Sequence, residues 1–510
     1  MRWRWTARVC CRPRRPTADR GRIPGRGRAR RRHHQLCDRR GVVRTGWGAP
    51  WGRPQGSAVP GCLLWAWRVI RDGEQDQDQG GLPPRTSETP APPNPFEGIR
   101  PRADRPTCLG SPCSGRLRPD ARRHLPRTVW GRQLVHVALT GATGFLGLRL
   151  VRELLARHRK LTVLAHAGSG AALHRIMRFY ELTEAPVTSI AELADRLRIV
   201  DTDLTHPQLG LSAAAYRELA DSVDVVWHSA GNIRLDDDPV RLRRVNVEGT
   251  RNVLALAAAG CRETVVHHVS TAFVAGARRE GVVYEDELDD VHGFENAYER
   301  SKYEAELLVR AWAREHRRSA LVLRPSILVS DVPPHPELPE HPLQFLDKML
   351  RTMLRGIGGP PADGAPLRLR LVGHPHGHLN LMPVEDTARV MAELGARERS
   401  GGVETYHVVH GHDVPIGTVA AVLERLAPVR VDVVARRAVD VSPLEAATDL
   451  YPGFTPYLHH RRRYDDTRVR CALGASPSRR RVDLPYLLSG VLPTQPESAS
   501  LLSGGSASLP

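Results

Sequence analysis

The stretch Val135-His-Val-Ala-Leu-Thr-Gly-Ala-Thr-Gly-Phe-Leu-Gly147 decides the architecture of this 510-residue chain. Val135 to Gly141 is a short apolar run that reads as a buried strand, and the spacing that follows predicts a helix from Leu146 to Arg157. Gly141 permits a tight turn, Gly144 lets a diphosphate approach the backbone, and Gly147 lets the helix pack close to its strand. With Thr143, Phe145 and Leu146 these glycines make a turn whose amides and helix dipole favour an anion. Alone, three glycines would mark only a tight turn. At the first strand-to-helix junction of a parallel sheet they predict nucleotide binding.

Further along, short apolar runs alternate with longer amphipathic stretches. Strands are expected at Leu161 to Ala165, Leu197 to Val200, Val223 to His228, Thr264 to Ser270 and Ala320 to Leu323. Helices are expected at Val240 to Ala259 and Glu295 to Arg317. This alternation means βαβ units, hence an α/β fold with a Rossmann-type doubly wound parallel sheet. Residues 133–330 form the nucleotide-binding domain in this scheme. Pro333, Pro334, Pro336, Pro339 and Pro342 then mark a loop. Residues 331–493 read as a smaller substrate-binding region, with a helix at Phe345 to Arg355, an extended run at Leu379 to Val384, and a strand at Thr405 to Val409 returning to the sheet.

The end of the second strand bears on which nucleotide binds. An acid there would hydrogen-bond a ribose diol and repel a 2′-phosphate. This chain has none; His166, Ser169, His174 and Arg175 follow instead. That favours NADP, with NAD as the alternative. Asp203-Leu204, after the third strand, suits an adenine contact, unless the aspartate merely closes a turn. The fifth strand delivers Ser270 and Thr271 to the carboxyl edge of the sheet, where ligands of open α/β folds bind.

Lysine is nearly absent: Lys160, Lys302 and Lys348 stand against 71 arginines. Lys302 follows Tyr298 by four residues, on one helix face. With 10 Tyr and 3 Lys, chance predicts only ~0.06 such pairs, so the pair asks for a chemical reason. An ammonium beside a phenol would lower its pKa from ~10 towards neutrality and make it a general acid or base. Arginine would keep the charge but not the compact geometry.

The net charge of +18 suggests a nucleic-acid binder, but its distribution excludes that for the body of the chain. Residues 1–132 carry 29 arginines and 10 acids, whereas the remainder has 45 basic and 46 acidic residues. The first quarter also holds six of the eight Cys and seven of the nine Trp, amid Pro and Gly, with no apolar period from which to build a core. A basic nucleic-acid arm, an organellar presequence and translation upstream of the native start all fit such a segment. The composition favours the last, with native synthesis expected near Val135. Residues 494–510, mostly Ser, Gly, Pro and Leu, read as a disordered tail. No run of 18 apolar residues predicts a membrane span, and Cys261 and Cys471 read as reduced thiols in a cytoplasmic protein. The His374-Pro-His-Gly-His378 run reads as a polar loop, and no metal is expected.

Taken together, these features resemble the extended short-chain dehydrogenase/reductases. The matching residues are the glycine turn 141–147, Asp203-Leu204, His228-Ser-Ala-Gly231, Asn246-Val-Glu-Gly249, Ser270-Thr271, Tyr298 to Lys302, and Arg324-Pro-Ser-Ile327. Within that superfamily the chain looks most like the thioester reductase and fatty acyl-CoA reductase, or male sterility, branch. Leu209-Gly-Leu-Ser212, His268-Val-Ser-Thr-Ala-Phe273, Tyr298-Glu-Arg-Ser-Lys302 and Leu381-Met-Pro-Val-Glu-Asp386 carry that likeness, which covers about residues 135–490.

The resemblance implies Tyr298 as proton donor, Lys302 as partner of both Tyr298 and the nicotinamide ribose, and Thr271 as the catalytic hydroxyl, with Ser270 as its alternate. Pro325 and Ser326 would border the nicotinamide. Ala230 and Gly231 would line the cofactor, and Asn246 would hold the active-site helix or a water. The implied activity is NAD(P)H-dependent reduction of an acyl thioester, on coenzyme A or an acyl carrier protein, to aldehyde or alcohol. A sugar-nucleotide epimerase or dehydratase, a hydroxysteroid-type dehydrogenase and a non-catalytic NADP sensor are the alternatives. The branch commonly has Arg where this chain has His166, which leaves dual cofactor use open.

Overall fold

The computed structural model describes residues 135–492 apart from 167–168, 184–189, 360–362, 400 and 451. The Arg-rich first quarter and the tail 494–510 lie outside the described residues. Seven of the short apolar runs become one parallel sheet: β1 (Val137–Thr140), β2 (Leu161–Ala165), β3 (Leu197–Asp201), β4 (Val225–His228), β5 (Val265–Val269), β6 (Ala320–Pro325) and β7 (Val403–Val408). Their spatial order is β7-β6-β5-β4-β1-β2-β3, and every pairing is parallel. The order reverses between β1 and β4, the switch point where a doubly wound sheet opens a crevice. The expected returning strand is β7, paired along β6 from Val403↔Ala320 to Val408↔Pro325.

The helices relevant to the site are α1 (Phe145–Leu155), α2 (Ser169–Leu182), α3 (Ala213–Ser222), α4 (Gly249–Ala259), α5 (Ala297–His316), α6 (Pro342–Gly356), α7 (Val384–Gly395) and α8 (Ile416–Leu426). Alternate strand residues feed cores on opposite faces of the sheet. Leu139, Val163, Val269 and Leu323 pack with Leu148 and Val151 of α1 and Met391 and Leu394 of α7. Ala138, Leu164 and Val226 meet Leu219 of α3 and Val253 and Leu256 of α4. Val266 and Val322 meet Val309 and Trp312 of α5. Each such buried Leu or Val side chain contributes about 1.5–3 kcal/mol.

A separate core forms beyond β6. There α6 buries Leu343, Leu346, Leu350 and Met353 against α8 and a parallel strand pair, Leu367–Val372 with Val429–Val434. Two expectations need correction. The helix predicted over 240–259 is interrupted by a π-helical turn at Arg244–Glu248, between Pro239–Arg243 and α4. Gly249 N–H reaches back five residues to Arg244 O, and the Thr250 hydroxyl takes up the carbonyl of Asn246 at 2.6 Å. The extended run predicted over 379–384 is divided between two partners. His378–Leu379 runs antiparallel to Val414–Pro415, Leu381–Pro383 runs parallel to Ile327–Val329, and α7 begins at Val384. Asn380, at the break, turns its amide onto His410 and Asp413.

Candidate active site

The glycine turn is built as its sequence requires. Gly141 has φ of +72°, and a Cβ there would lie 2.6 Å from Ala230 N; a Cβ on Gly147 would lie 1.8 Å from Gly141 O. Gly144 is different: it is exposed, its own Cβ would meet only Gly141 O, at 3.5 Å, and it caps α1 without a side-chain hydrogen bond. The first turn of α1 contains no acid. The helix therefore presents bare amides and a positive dipole end to the crevice, the arrangement that holds a diphosphate.

Beside it, a hydrogen-bond chain fixes the loop after β4. Thr140 Oγ1 accepts from Ser229 N–H at 3.2 Å and Ala230 N–H at 3.1 Å, which leaves its own proton for His228 Nδ1, 2.9 Å away. His228 then carries its proton on Nε2 and donates it to Thr250 Oγ1 at 3.0 Å. Burial, aided by the charge of Lys302, lowers the His228 pKa to about 3, so the imidazole stays neutral. The loop continues to Gly231 and Asn232, where Asn246 takes over. Asn246 Oδ1 accepts from Asn232 N–H at 2.7 Å, and its Nδ2 donates to Asn232 O at 2.9 Å and Ser301 Oγ at 2.8 Å. A π turn is how this asparagine comes to face both the loop and α5, and such turns recur at functional sites.

Asn296 starts α5, its Oδ1 accepting from Glu299 N–H at 3.0 Å. Tyr298 and Lys302 follow on the inward face. The Lys302 ammonium is buried, donates to Val269 O at the end of β5 at 2.7 Å, and lies 4.0 Å from the place a Gly231 Cβ would occupy. Burial lowers its pKa to about 8, with Glu306 opposing. Tyr298 departs from expectation. Although part of the residue stays accessible, the surrounding protein desolvates the phenol and pushes it up to about 12; Thr271, within hydrogen-bonding range, pulls the other way. Four-residue spacing put both groups on one face, but Lys302 spends its ammonium on a backbone carbonyl, and burial then decides the direction.

Thr271 and Ser270 separate clearly. Ser270 Oγ donates to buried Glu306 at 3.0 Å, which ties it into the fold. Thr271 Oγ1 accepts from Phe273 N–H at 3.3 Å and donates to Pro325 O over a long 3.5 Å, a weak bond that a better acceptor could displace. Next to Pro325, Ser326 Oγ is buried without a partner. An orphaned hydroxyl at the carboxyl end of β6 fits a polar group of a nicotinamide.

The outlying predicted residues are less concentrated. His166 is exposed just past β2, and Arg175 is exposed on α2. Asp203 closes a local turn: Oδ1 takes Thr205 N–H at 2.8 Å and Thr205 Oγ1 at 2.7 Å, and Oδ2 lies 2.7 Å from His206 Nδ1. Leu204 O receives Asn252 Nδ2 of α4 at 2.8 Å. His374 to His378 form a tight turn, with Gly377 N–H on His374 O at 2.7 Å. Among the described residues no group of three or more His, Cys, Asp or Glu is placed to hold a metal ion, and no helix is long and apolar enough to cross a membrane.

Sequence reasoning missed the strap that covers this site. Arg463–Tyr464 pairs with Val282–Val283 just beyond the turn that carries Thr271. Buried Arg462 places its guanidinium 5.2 Å over the Phe273 ring and donates to the carbonyls of Gly276 and Arg278. Tyr457 packs edge-on to Phe273 with centroids 4.9 Å apart, donates to Glu299 Oε1 at 2.9 Å and accepts from Asn296 Nδ2 at 2.8 Å. No spacing links residues 457–464 to 271–299; the one local signal is a run of two histidines and three arginines between Tyr457 and Tyr464.

Comparison with known proteins agrees with this geometry. A family model described as male sterility protein, an NAD-binding family, matches residues 139–391. The terminal R domain from the myxalamid PKS-NRPS biosynthetic pathway superposes with a TM-score of 0.56 at 25% identity, covering 71% of this chain and 90% of that one. The reductase (R) domain of a nonribosomal peptide synthetase from Mycobacterium tuberculosis gives 0.54 at 25% identity, covering 70% and 90%. The L-2-aminoadipate reductase large subunit of Eremothecium gossypii is 29% identical over 272 residues, half of this chain but only 18% of that protein's length. A nicotinamide dinucleotide is thus the cofactor class of this crevice, and residues 139–391 match the male sterility protein family, with the fold of the extended short-chain dehydrogenase/reductases.

Proposed function

We propose that the protein reduces acyl thioesters with NADPH. The observation that carries this is the convergence of a weakly held hydroxyl, Thr271, a protonated phenol, Tyr298, and a buried ammonium, Lys302, at the carboxyl edge of the sheet beside the bare N-terminus of α1. The bound cofactor would supply a hydride to the thioester carbonyl. Thr271 and Tyr298 would hydrogen-bond the oxygen as it gains charge. A phenol raised to about 12 is fully protonated at neutral pH, which is the form a reduction needs in order to deliver a proton to that oxygen. The resulting hemithioacetal breaks its C–S bond, releasing an aldehyde and a thiol; hydride and proton together account for the two electrons added. Lys302 would hold the nicotinamide ribose, Ser326 a polar group of the nicotinamide, and the α1 amides the diphosphate.

The preference for NADP rests on the missing acid after β2 and on the exposed His166 and Arg175, which leave room and positive charge for a 2′-phosphate. The thioester substrate is supported by the names of the similar proteins, reductase domains of peptide synthetases and an aminoadipate reductase. Acyl groups on coenzyme A or on a carrier protein are the substrates to try. NADPH oxidation is expected with a panel of acyl-CoA esters, and Tyr298→Phe is expected to slow it by about 100-fold or more. Activity confined to sugar nucleotides, or unchanged in Tyr298→Phe, would refute the proposal.

A further inference from the structure

Two clefts beyond β7 take no part in this chemistry. The first, of about 520 Å³, is walled by His376, His378, His412, Asp413 and Arg463. The second, of about 730 Å³, shares Gly411, His412, Asp413 and Pro415 with the first and adds Arg479, Arg480 and Arg481. The two clefts adjoin along that shared segment, as two halves of a groove. Its carboxylates are mostly engaged elsewhere. Asp413 Oδ1 accepts from Asn380 Nδ2 at 2.9 Å, and its Oδ2 lies 3.4 Å from His378 Nε2. Asp483 caps the helix Leu484–Ser489 and lies 3.4 Å from Arg481. Arg480 is taken by Asp331 at 3.0 Å. Two cations are left over: Arg463, which reaches only Asp413 at 4.0 Å, and Arg479, which makes no ion pair among the described residues. Both are exposed, with the imidazoles of His376 and His412 beside them.

The groove is anchored to the catalytic centre from two sides. Its floor, His410 to Asp413, hangs on the Asn380 amide, and Asn380 O accepts from Ile327 N–H, the neighbour of Ser326, at 3.3 Å. Its wall, Arg463, belongs to the strap whose Arg462 covers Phe273. Surplus arginines with imidazole donors, open to solvent and tied to the segments that carry Ser326 and cover Phe273, suit a phosphate ester: guanidinium forks match its oxygens, and only the loose 4.0 Å contact of Arg463 with Asp413 has to yield. The geometry points to a phosphate-binding subsite here, which takes the phosphate of the phosphopantetheine arm that carries the acyl group. This rests on the thioester reading. The arm occurs both in coenzyme A and on carrier proteins, and its phosphate is the chemistry they share.

Calorimetry with phosphopantetheine alone tests the subsite without turnover. The wild-type protein binds it, and the double variant His376→Glu, Arg479→Glu, which leaves the strap untouched, is expected to bind about tenfold or more weakly. Kinetics then separate the sources. With acyl-phosphopantetheine, acyl-CoA and acyl-carrier protein, the double variant is expected to raise KM about tenfold with kcat unchanged. With the N-acetylcysteamine thioester of the same acyl group, which lacks the phosphate, kinetics stay as in the wild type. A KM rise for acyl-CoA alone would assign the groove to the nucleotide phosphates and overturn the inference. So would an equal loss on the N-acetylcysteamine thioester, or unaltered phosphopantetheine binding. Failure of every thioester as a substrate would refute the reductase reading, while the calorimetric result would still decide the subsite.

Discussion

Keeping an ammonium out of water is costly, and Lys302 does so with a hydrogen bond to Val269 O and, among the described residues, no carboxylate within ion-pair distance. Its pKa of about 8 in the folded protein lies below the 10.5 of a free lysine. The sign follows directly: below pH 8 both states hold the proton and the folded state bears the full penalty. Between pH 8 and 10.5 only the unfolded chain still binds it, so stability rises with pH. Lys302→Met removes the penalty. Its unfolding free energy relative to the wild type is expected to fall by on the order of 3 kcal/mol as pH is raised from 7.5 to 10.5, while activity is lost at every pH. A stability difference that does not change with pH in urea unfolding would show that the ammonium is not desolvated. That lysine was legible from composition alone, because a chain with 71 arginines and three lysines singles out each one. The direction of the tyrosine shift was not legible. Spacing places two side chains on one face, but desolvation depends on everything packed around them, and here it raises the phenol, with the Glu299 carboxylate adding to it and only the Thr271 hydroxyl opposing.

At the scale of elements, α5 is held to β6 by charge rather than by apolar packing alone. Glu306 and Arg324 are both wholly buried. Arg324 grips the carboxylate with Nη2 at 2.6 Å and Nε at 3.0 Å, while Arg310 and Ser270 occupy its remaining positions. Burial would raise this carboxyl, but the two guanidiniums overwhelm that and hold it at about 2. Glu306→Gln leaves Arg324 buried beside a neutral amide and is expected to cost about 3–5 kcal/mol in denaturant unfolding. The wild type should lose this advantage as pH falls from 4.5 towards 2, because a depressed folded pKa contributes stability only while the carboxylate is ionised. Equal stability of the two proteins at pH 7 would refute the argument. The sequence marked α5 for its Tyr and Lys, and its strands by their apolar runs. It could not reveal that Arg324, within the Arg-Pro-Ser-Ile match, is a structural counter-ion, since its partner is on another element. The strand pair Leu367–Val372 and Val429–Val434 shows the same limit. Leu-Arg-Leu-Arg-Leu alternates as a half-buried strand does, yet its partner lies 62 positions away, beyond any local pattern.

At the scale of the whole molecule, the region after β6 does more than supply a second core. It returns twice to the catalytic side: once as β7, closing the sheet edge, and once as the strap 457–464, lying on the turn that carries Thr271. The strap sets the height of that turn. Arg462 draws in the carbonyls of Gly276 and Arg278 and covers Phe273, while Tyr457 bonds both the cap and the first turn of α5, at Asn296 and Glu299 on either side of Tyr298. One segment therefore packs on the turn that carries Thr271 and bonds the residues that flank Tyr298. This arrangement has a kinetic consequence. Arg462→Met keeps the apolar stem over Phe273 but frees the two carbonyls, so the hydroxyl can drift from the phenol. A displacement of about 1 Å at a reacting centre can cost about 100-fold in rate; a kcat loss of about 10–100-fold is expected in NADPH oxidation with an acyl thioester. Cofactor affinity, which the proposed function assigns to the Gly141 to Gly147 turn, should stay within about twofold by fluorescence titration. If kcat holds and cofactor affinity falls instead, the strap acts through the dinucleotide half, and the alignment of Thr271 with Tyr298 does not depend on it.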